Sequence, residues 1–401
     1  MTGRRRILRA MAVAPVVTGI GCVCALGRDP GEALDALCRG ERPIADASAL
    51  GKEAMPFPVF TVFESILGET RSRSAADTLR LAVVAADAAF AMARLPEGGR
   101  RGMGVVMGTT AGTALHFLAG YDAFRRGDPG DGADIADYFS SNLALRLGGR
   151  FGLGGPAVTL SNACTSGTDA IGLAADMVRL GVCDRVLCGG ADALSLVPHS
   201  GFARLMIADR EPCRPFDRDR AGLNLGEGAA VLVLESPAAA RERGATALGF
   251  VAGFGQAADA HHLTAPHPEG RGLETAIRRA FLDADLQMED VAFVNAHGTA
   301  TRENDKVEGR TLARLLPGVP VWAGKGATGH ALGAAGAIEA ALTLAALGEG
   351  RLPPSAGFRT VDPEIGVVPT SGTSVPALPC ALSTSLGFGG GNAALLLGGC
   401  P

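Results

Sequence analysis

The chain has 401 residues, 47% hydrophobic and 19% charged, with a formal net charge of −4; it is long enough for one large domain or two of ordinary size with a substantial core. This balance gives no electrostatic footprint for nucleic acid or an anionic membrane surface. Nine cysteines, an odd number without a CxxC pair, make neither a disulfide framework nor a zinc site and read as free thiols in a reducing cytoplasm.

The chain opens with "MTGRRRILRAMAVAPVVTGIGCVCALG" (1–27), a basic start and an apolar run with the look of a secretory signal. Pro15, Gly19 and Gly21 interrupt that run, and "PVVTGIG" (15–21) reads as a first buried strand. No run of ~20 uninterrupted apolar residues is present for a membrane span. Further buried strands are expected at 102–108, 184–192, 229–235, 250–255, 291–298, 319–324 and 392–398, with "PAVTL" (156–160) a short β-branched one. Helical spacing of apolar residues predicts helices over 75–94, 167–180, 272–284, 303–315 and 331–347. Short Val/Ile/Leu runs alternating with Ala-rich amphipathic stretches predict an α/β fold, helices packed on buried sheets.

A weak internal repeat runs through this pattern. "VVTGIG" is echoed by "FVAGFG", "VVMGTTAG" (105–112) by "VNAHGTAT" (294–301), and "ACTSGTDAIGLAAD" (163–176) by "GATGHALGAAGAIEA" (326–340). Three pairs in the same order indicate two copies of one βα unit joined near 236–248. The expected halves are 1–245, carrying a cysteine of interest, and 246–401, carrying two histidines.

That cysteine is Cys164 in "SNACTSGTDA" (161–170), where a strand turns into a helix among small residues. The free N–H groups and dipole of a helix N-terminus lower a thiol pKa; a buried, inert cysteine is the plainer alternative. Of seven histidines, His297 ends a strand in "NAHGTAT" and His330 opens a helix in "GKGATGHALGAAGA". If the halves are related by a pseudo-twofold axis, all three converge. A cysteine with two N–H donors suits acyl transfer through a thioester. Lys325, five residues before His330, fits a partly buried role there.

"NACTSG", "NAHGTAT", "GKGATGHALGAAGAIE" and "SLGFGGGN" (385–392) resemble, in order and spacing, the motifs of the β-ketoacyl-acyl carrier protein synthases, closest to the type II elongating enzymes. The resemblance extends over "VTGIGCVCALG", "CRPFDRDRAGLNLGEGAAVLVLE" (213–235) and "DAHHLTAPHPEG" (259–270). It implies the thiolase fold, duplicated βαβαβαββ halves in a five-layered α/β/α/β/α arrangement. It also implies a dimer, either a homodimer or a heterodimer with a chain-length partner. The implied activity is 3-oxoacyl-[acyl-carrier-protein] synthesis, extending an acyl thioester on Cys164 by two carbons from malonyl-carrier protein. No bound cofactor is expected; substrates ride on the phosphopantetheine arm of acyl carrier protein. Fatty acid elongation is the first reading, and a polyketide or polyene ketosynthase the alternative.

Residue by residue, the resemblance makes Cys164 the nucleophile and gives His297 and His330 the decarboxylation. The backbone N–H groups of Cys164 and Phe388 would form the oxyanion hole, and Phe388 the gate in a flexible loop. Lys325 would orient the site with Glu339 as a buried polar partner, and Thr299 and Thr301 would bind the pantetheine arm. Ala111 would stand on the acyl-pocket wall, where these enzymes often carry a bulkier residue. Leu386 and Gly391 depart from the usual "SFGFGGT" and loosen that loop.

"HHLTAPH" (261–267) lacks a carboxylate at ligand spacing, so no metal is expected there. "RRR" (4–6) and "FRRG" (124–127) read as solvated charge, with Arg71, Arg73, Arg125 and Arg126 weak candidates for meeting an acidic carrier protein. A thiolase would need a second cysteine in the last glycine-rich motif, and a type III initiating synthase an Asn in place of His330. A non-catalytic chain-length partner would have lost Cys164, and a Cys-His hydrolase is a distant option.

Overall fold

The structure, a computed structural model, describes residues 3–51, 53–62, 77–112, 118–128, 142–376 and 380–400. Arg71 and Arg73 lie outside the described residues. The strands are β1 (Val16–Cys24), β2 (Gly104–Gly108), β3 (Ala157–Leu160), β4 (Arg185–Asp192), β5 (Gly228–Glu235), β6 (Gly249–Ala258), β7 (Val291–Asn295), β8 (Val321–Trp322), β9 (Arg351–Leu352), β10 (Thr373–Ser374), β11 (Cys380–Gly387) and β12 (Gly391–Gly399). The helices used below are α1 (Gly3–Val13), α2 (Pro30–Cys38), α3 (Asp77–Ala93), α4 (Leu118–Arg125), α5 (Leu143–Phe151) and α6 (Ser166–Arg179). They continue with α7 (Leu196–Arg204), α8 (Pro237–Glu242), α9 (Arg271–Ala284), α10 (Arg302–Leu315), α11 (Lys325–Thr328) and α12 (Ala335–Glu349).

Ten strands hydrogen-bond in the order β3-β2-β4-β5-β1-β6-β12-β11-β7-β8. Numbered within each half, the first five run 3-2-4-5-1 and the last five 1-5-4-2-3. The second half therefore repeats the first in reverse across the join, as a pseudo-twofold axis requires. The join is slight, Val16 facing Phe250 and Val17 facing Gly249. The two halves meet chiefly through helices. α6 and α12 touch each other and strands of both halves, and form the middle layer. Outside, α3 and α5 cover the first half, and α9 the second with α10 beside it. The five layers are those expected of the thiolase fold.

Small residues set this packing. A Cβ on Gly21 would lie 1.8 Å from the Ala85 carbonyl oxygen and one on Gly19 2.1 Å from that of Ala89. The glycines let α3 settle directly on β1. α12 is buried almost throughout, with Leu, Ile and Ala on every face. The one segment among the described residues apolar enough to cross a membrane by length and composition, Leu332–Glu349, is this core helix with its lead-in turn.

Two features differ from the expectation. "RRR" (4–6), read as solvated charge, lies on α1 with Arg4 and Arg5 exposed, but Arg6 Nε and Nη2 hold Asp290 at 2.6 and 2.7 Å. The segment "GFGGGN" (387–392), read as a flexible loop, is the last residue of β11, a tight turn and the start of β12. Gly389 and Gly390 take φ of +85° and +83°, which close that turn.

Candidate functional site

β3 runs into α6 through Ser161–Thr165, and the bend puts Ala163 in the left-handed region at φ +48°. Neighbours hold this strained residue in place. The hydroxyls of Ser166 and Thr110 donate to its carbonyl at 2.6 and 2.9 Å. The next residue, Cys164, is thereby held at the start of α6, only 5% exposed. Burial pushes its thiol up to about 11, against the pull of the Lys325 charge and the Phe388 N–H that reaches the sulfur. The helix N-terminus was expected to lower this pKa; in the free protein the loss of solvent outweighs that effect.

The second half delivers the partners. His297 follows β7, and His330 follows α11 and its turn. Reactive atoms of Cys164, His297 and His330 all lie within 4.8 Å of one another. The two imidazoles meet edge-on, centroids 5.3 Å apart at 86°. Each ring has its Nδ1 engaged. The Leu332 N–H donates to His330 Nδ1 at 3.1 Å, and Lys325 Nζ lies 3.0 Å from His297 Nδ1. An ammonium only donates, so both Nδ1 atoms accept and each proton resides on Nε2. Burial, then the Lys325 charge, holds both rings well below the ordinary histidine range, so they are neutral donors.

A cysteine and two histidines at this spacing could also suggest a metal centre. With Nδ1 already accepting, ligation through Nε2 would demand an imidazolate from each ring. The donor set does not fit a metal.

Lys325 is buried and bonds Glu339 Oε1, His297 Nδ1 and, at 2.6 Å, the His297 carbonyl oxygen. Burial pushes Glu339 up to about 7 while Lys325 pulls it down. Behind His297, Glu308 accepts from the His297 and Gly298 N–H groups, both at 2.8 Å, and from the Thr384 hydroxyl at 2.7 Å.

A cavity of about 330 Å³ opens onto these groups. Thr299 and Thr301 line its mouth and share a hydrogen bond of 2.9 Å; Leu386, Phe388 and Gly391 line it too. The Phe388 ring stacks on Phe202 at 5.5 Å. The β11–β12 turn is also tied down, Gly389 N–H donating to the Leu263 carbonyl at 2.8 Å.

The structure thus gathers Cys164, His297, His330, Lys325, Glu339, Thr299, Thr301 and Phe388 at one place. Ala111, the expected acyl-pocket residue, is not among the described residues that line this cavity. It is buried in the same apolar cluster as Leu194, Leu223, Leu225 and Leu332, of which Leu223 lines the cavity. Arg125 and Arg126 are exposed at the end of α4, away from the cavity's lining. Sequence reasoning missed Phe202 and Glu308. "GFAR" carries no signal that its aromatic faces a cavity, and a buried glutamate in "ENDKVE" looks like surface charge.

Comparison with known proteins agrees with this geometry. The family model for the Beta-ketoacyl synthase N-terminal domain matches residues 14–240, and that for the C-terminal domain residues 248–359. The chain is 33% identical over 402 residues to the 3-oxoacyl-[acyl-carrier-protein] synthase 2 of Mycobacterium tuberculosis, covering 96% of each. It is 38% identical over 273 residues to the enzyme of that name from Synechocystis sp., covering 65% of each. Among solved structures, the ishigamide ketosynthase/chain length factor superposes with a TM-score of 0.88 at 30% identity, covering 97% of this chain and 100% of that one.

Proposed function

The chain belongs to the β-ketoacyl synthase family, a condensing acyltransferase, and from that premise we propose the course of its reaction. The observation that carries it is the convergence of Cys164 with two histidines whose Nε2–H groups are fixed as donors. The Cys164 sulfur attacks the carbonyl carbon of an acyl thioester on the carrier protein. A new thioester forms, the old C–S bond breaks, and the cysteine proton leaves with the pantetheine thiol. Malonyl-carrier protein then enters, its arm against Thr299 and Thr301. Its C–carboxylate bond breaks, carbon dioxide departs, and the electron pair becomes an enolate whose oxygen accepts from His297 and His330. The enolate carbon attacks the Cys164 thioester. The resulting oxyanion sits between the Cys164 and Phe388 N–H groups until the C–S bond breaks. The 3-oxoacyl chain, two carbons longer, leaves on the carrier protein, and the cysteine takes a proton from water.

Neutral histidines suit this task because they donate without consuming a proton, in a site whose donors need no reorganisation. Mass spectrometry of the protein after incubation with acyl-carrier proteins tests the scheme. A single acyl adduct on Cys164, absent in Cys164→Ala, is expected; condensation by Cys164→Ala at the native rate would overturn it.

A second reading, a polyketide or polyene ketosynthase paired with a chain-length partner, is supported by the likeness to the ishigamide ketosynthase/chain length factor. The edge strand β3 also favours an added subunit. Among the described residues it pairs only with β2 and its residues are half-buried, leaving a strand edge to continue the sheet into a second chain. Light scattering of the purified chain separates the cases: an active homodimer supports the elongating enzyme, activity only with a second subunit the other. We place the reaction in the cytoplasm, where nine unpaired cysteines persist.

A further inference from the structure

Asp192 ends β4, fully buried, and its carboxylate accepts from both halves of the molecule. Oδ1 takes the Thr109 hydroxyl at 2.7 Å and the Ala111 and Gly112 N–H groups at 3.0 and 3.3 Å. Oδ2 takes the Thr110 and Gly333 N–H groups, both at 2.7 Å. Two of these contacts lead straight to the reacting groups. Thr110 passes the constraint on through its hydroxyl, which holds the carbonyl of Ala163, the residue before the nucleophile. Gly333 follows Leu332, whose N–H holds His330 Nδ1. The fit is close, since a Cβ on Gly333 would meet the Thr110 nitrogen at 2.5 Å and Asp192 Oδ2 at 2.8 Å.

The repeat gives this arrangement a counterpart. The loop after β7 (Gly298–Thr301) matches the loop after β2 (Thr109–Gly112), and each has a buried carboxylate accepting its N–H groups. Glu308 serves the first, from its own half. Asp192 serves the second and also reaches across to Gly333.

We propose that Asp192 is a positioning residue that sets the separation of Cys164 and His330 by tying the turns of both to one carboxylate. This rests on the condensing reaction proposed above. The role demands a group that only accepts. Ionised, a carboxylate offers lone pairs on both oxygens. An asparagine of the same shape must turn its NH₂ toward one set of N–H donors and abandon them.

The test compares Asp192→Asn with the wild type by condensation kinetics and by ¹⁵N NMR of His330. We expect kcat to fall about tenfold to a hundredfold, the scale of an ångström-sized misplacement, with KM for the acyl thioester little changed. The His330 ring should pass from a single Nε2–H form to a mixture of tautomers. A folded Asp192→Asn with native kcat and an unchanged His330 signal would overturn the proposal. Should that variant fail to fold, Thr110→Val cuts the link to Ala163 alone. It should slow acylation of Cys164, and Thr110→Ser, which keeps the hydroxyl, should recover the rate. Equal loss in Val and Ser variants, or none in Val, refutes the clamp. A wild type that never loads Cys164 would refute the reaction instead, and the His330 signal would still report on Asp192.

Discussion

Lys325 Nζ lies 3.0 Å from His297 Nδ1 and 2.6 Å from the carbonyl oxygen of the same residue. One cation therefore fixes both the ring and the backbone of a histidine. Because it also bonds Glu339, it neutralises the carboxylate buried behind the site.

Lys325→Met should free the His297 tautomer and leave Glu339 without its cation. Malonyl decarboxylation should fall by roughly a hundredfold, the scale of one lost electrostatic donor. Breaking one side of a buried pair typically costs about 3–5 kcal/mol, less here where Glu339 takes up a proton. Decarboxylation assays and thermal melts of the variant check both, and a native rate would remove Lys325 from the site.

His297→Ala and His330→Ala should each damage decarboxylation more than acylation of Cys164. The loss of one preorganised donor corresponds to about 3–4 kcal/mol, or roughly a hundred- to thousandfold. Single-turnover measurements separate the half-reactions. Equal loss in both would make the histidines positioning groups only.

The buried thiol makes a pH prediction for the free enzyme. With Cys164 pushed up to about 11, the thiolate is a minor species at neutral pH. Alkylation of Cys164 by iodoacetamide should accelerate about tenfold per pH unit from pH 7 upward, since the thiolate is the nucleophile, and level only near pH 11. A plateau beginning below pH 8 would mean that the helix N-terminus governs after all.

Ala111→Met acts at one remove. Packed interiors resist added methylenes, at a cost of about 1–3 kcal/mol, and the apolar cluster that would have to make room includes Leu223, which does line the cavity. We expect kcat/KM to drop for long acyl chains and hold for short ones. Uniform loss at every chain length, measured across a series, would place Ala111 in the core with no say in selectivity.

Much of this was legible because the repeat and the reacting groups are local. Helices 77–93, 166–179, 271–284 and 302–315 lie within a residue or two of their apolar periodicity. Strand β11 was not read, for a physical reason. "CALSTSLG" has three hydroxyls where a core strand shows aliphatics, and two of them, on Thr384 and Ser385, find partners elsewhere in the chain. Ser385 meets Thr168 at 2.7 Å, and Thr384 meets Glu308. Those contacts span 217 and 76 residues, beyond any local pattern. The raised pKa of Cys164 was hidden likewise, because the depth of a turn depends on what covers it.

The middle layer has a consequence for how the molecule comes apart. One apolar cluster contains Cys22, Ile171 and Val186 from the first repeat together with Phe293, Ala337 and Leu395 from the second. The first repeat keeps a cluster of its own under its outer helices, around Leu81, Val105 and Val233, but the middle layer belongs to both. Parting the repeats would expose that shared layer on both sides, so heating should give one calorimetric transition with no half-folded plateau. The nucleophile of one repeat and the donors of the other therefore stay together only while that shared layer is intact.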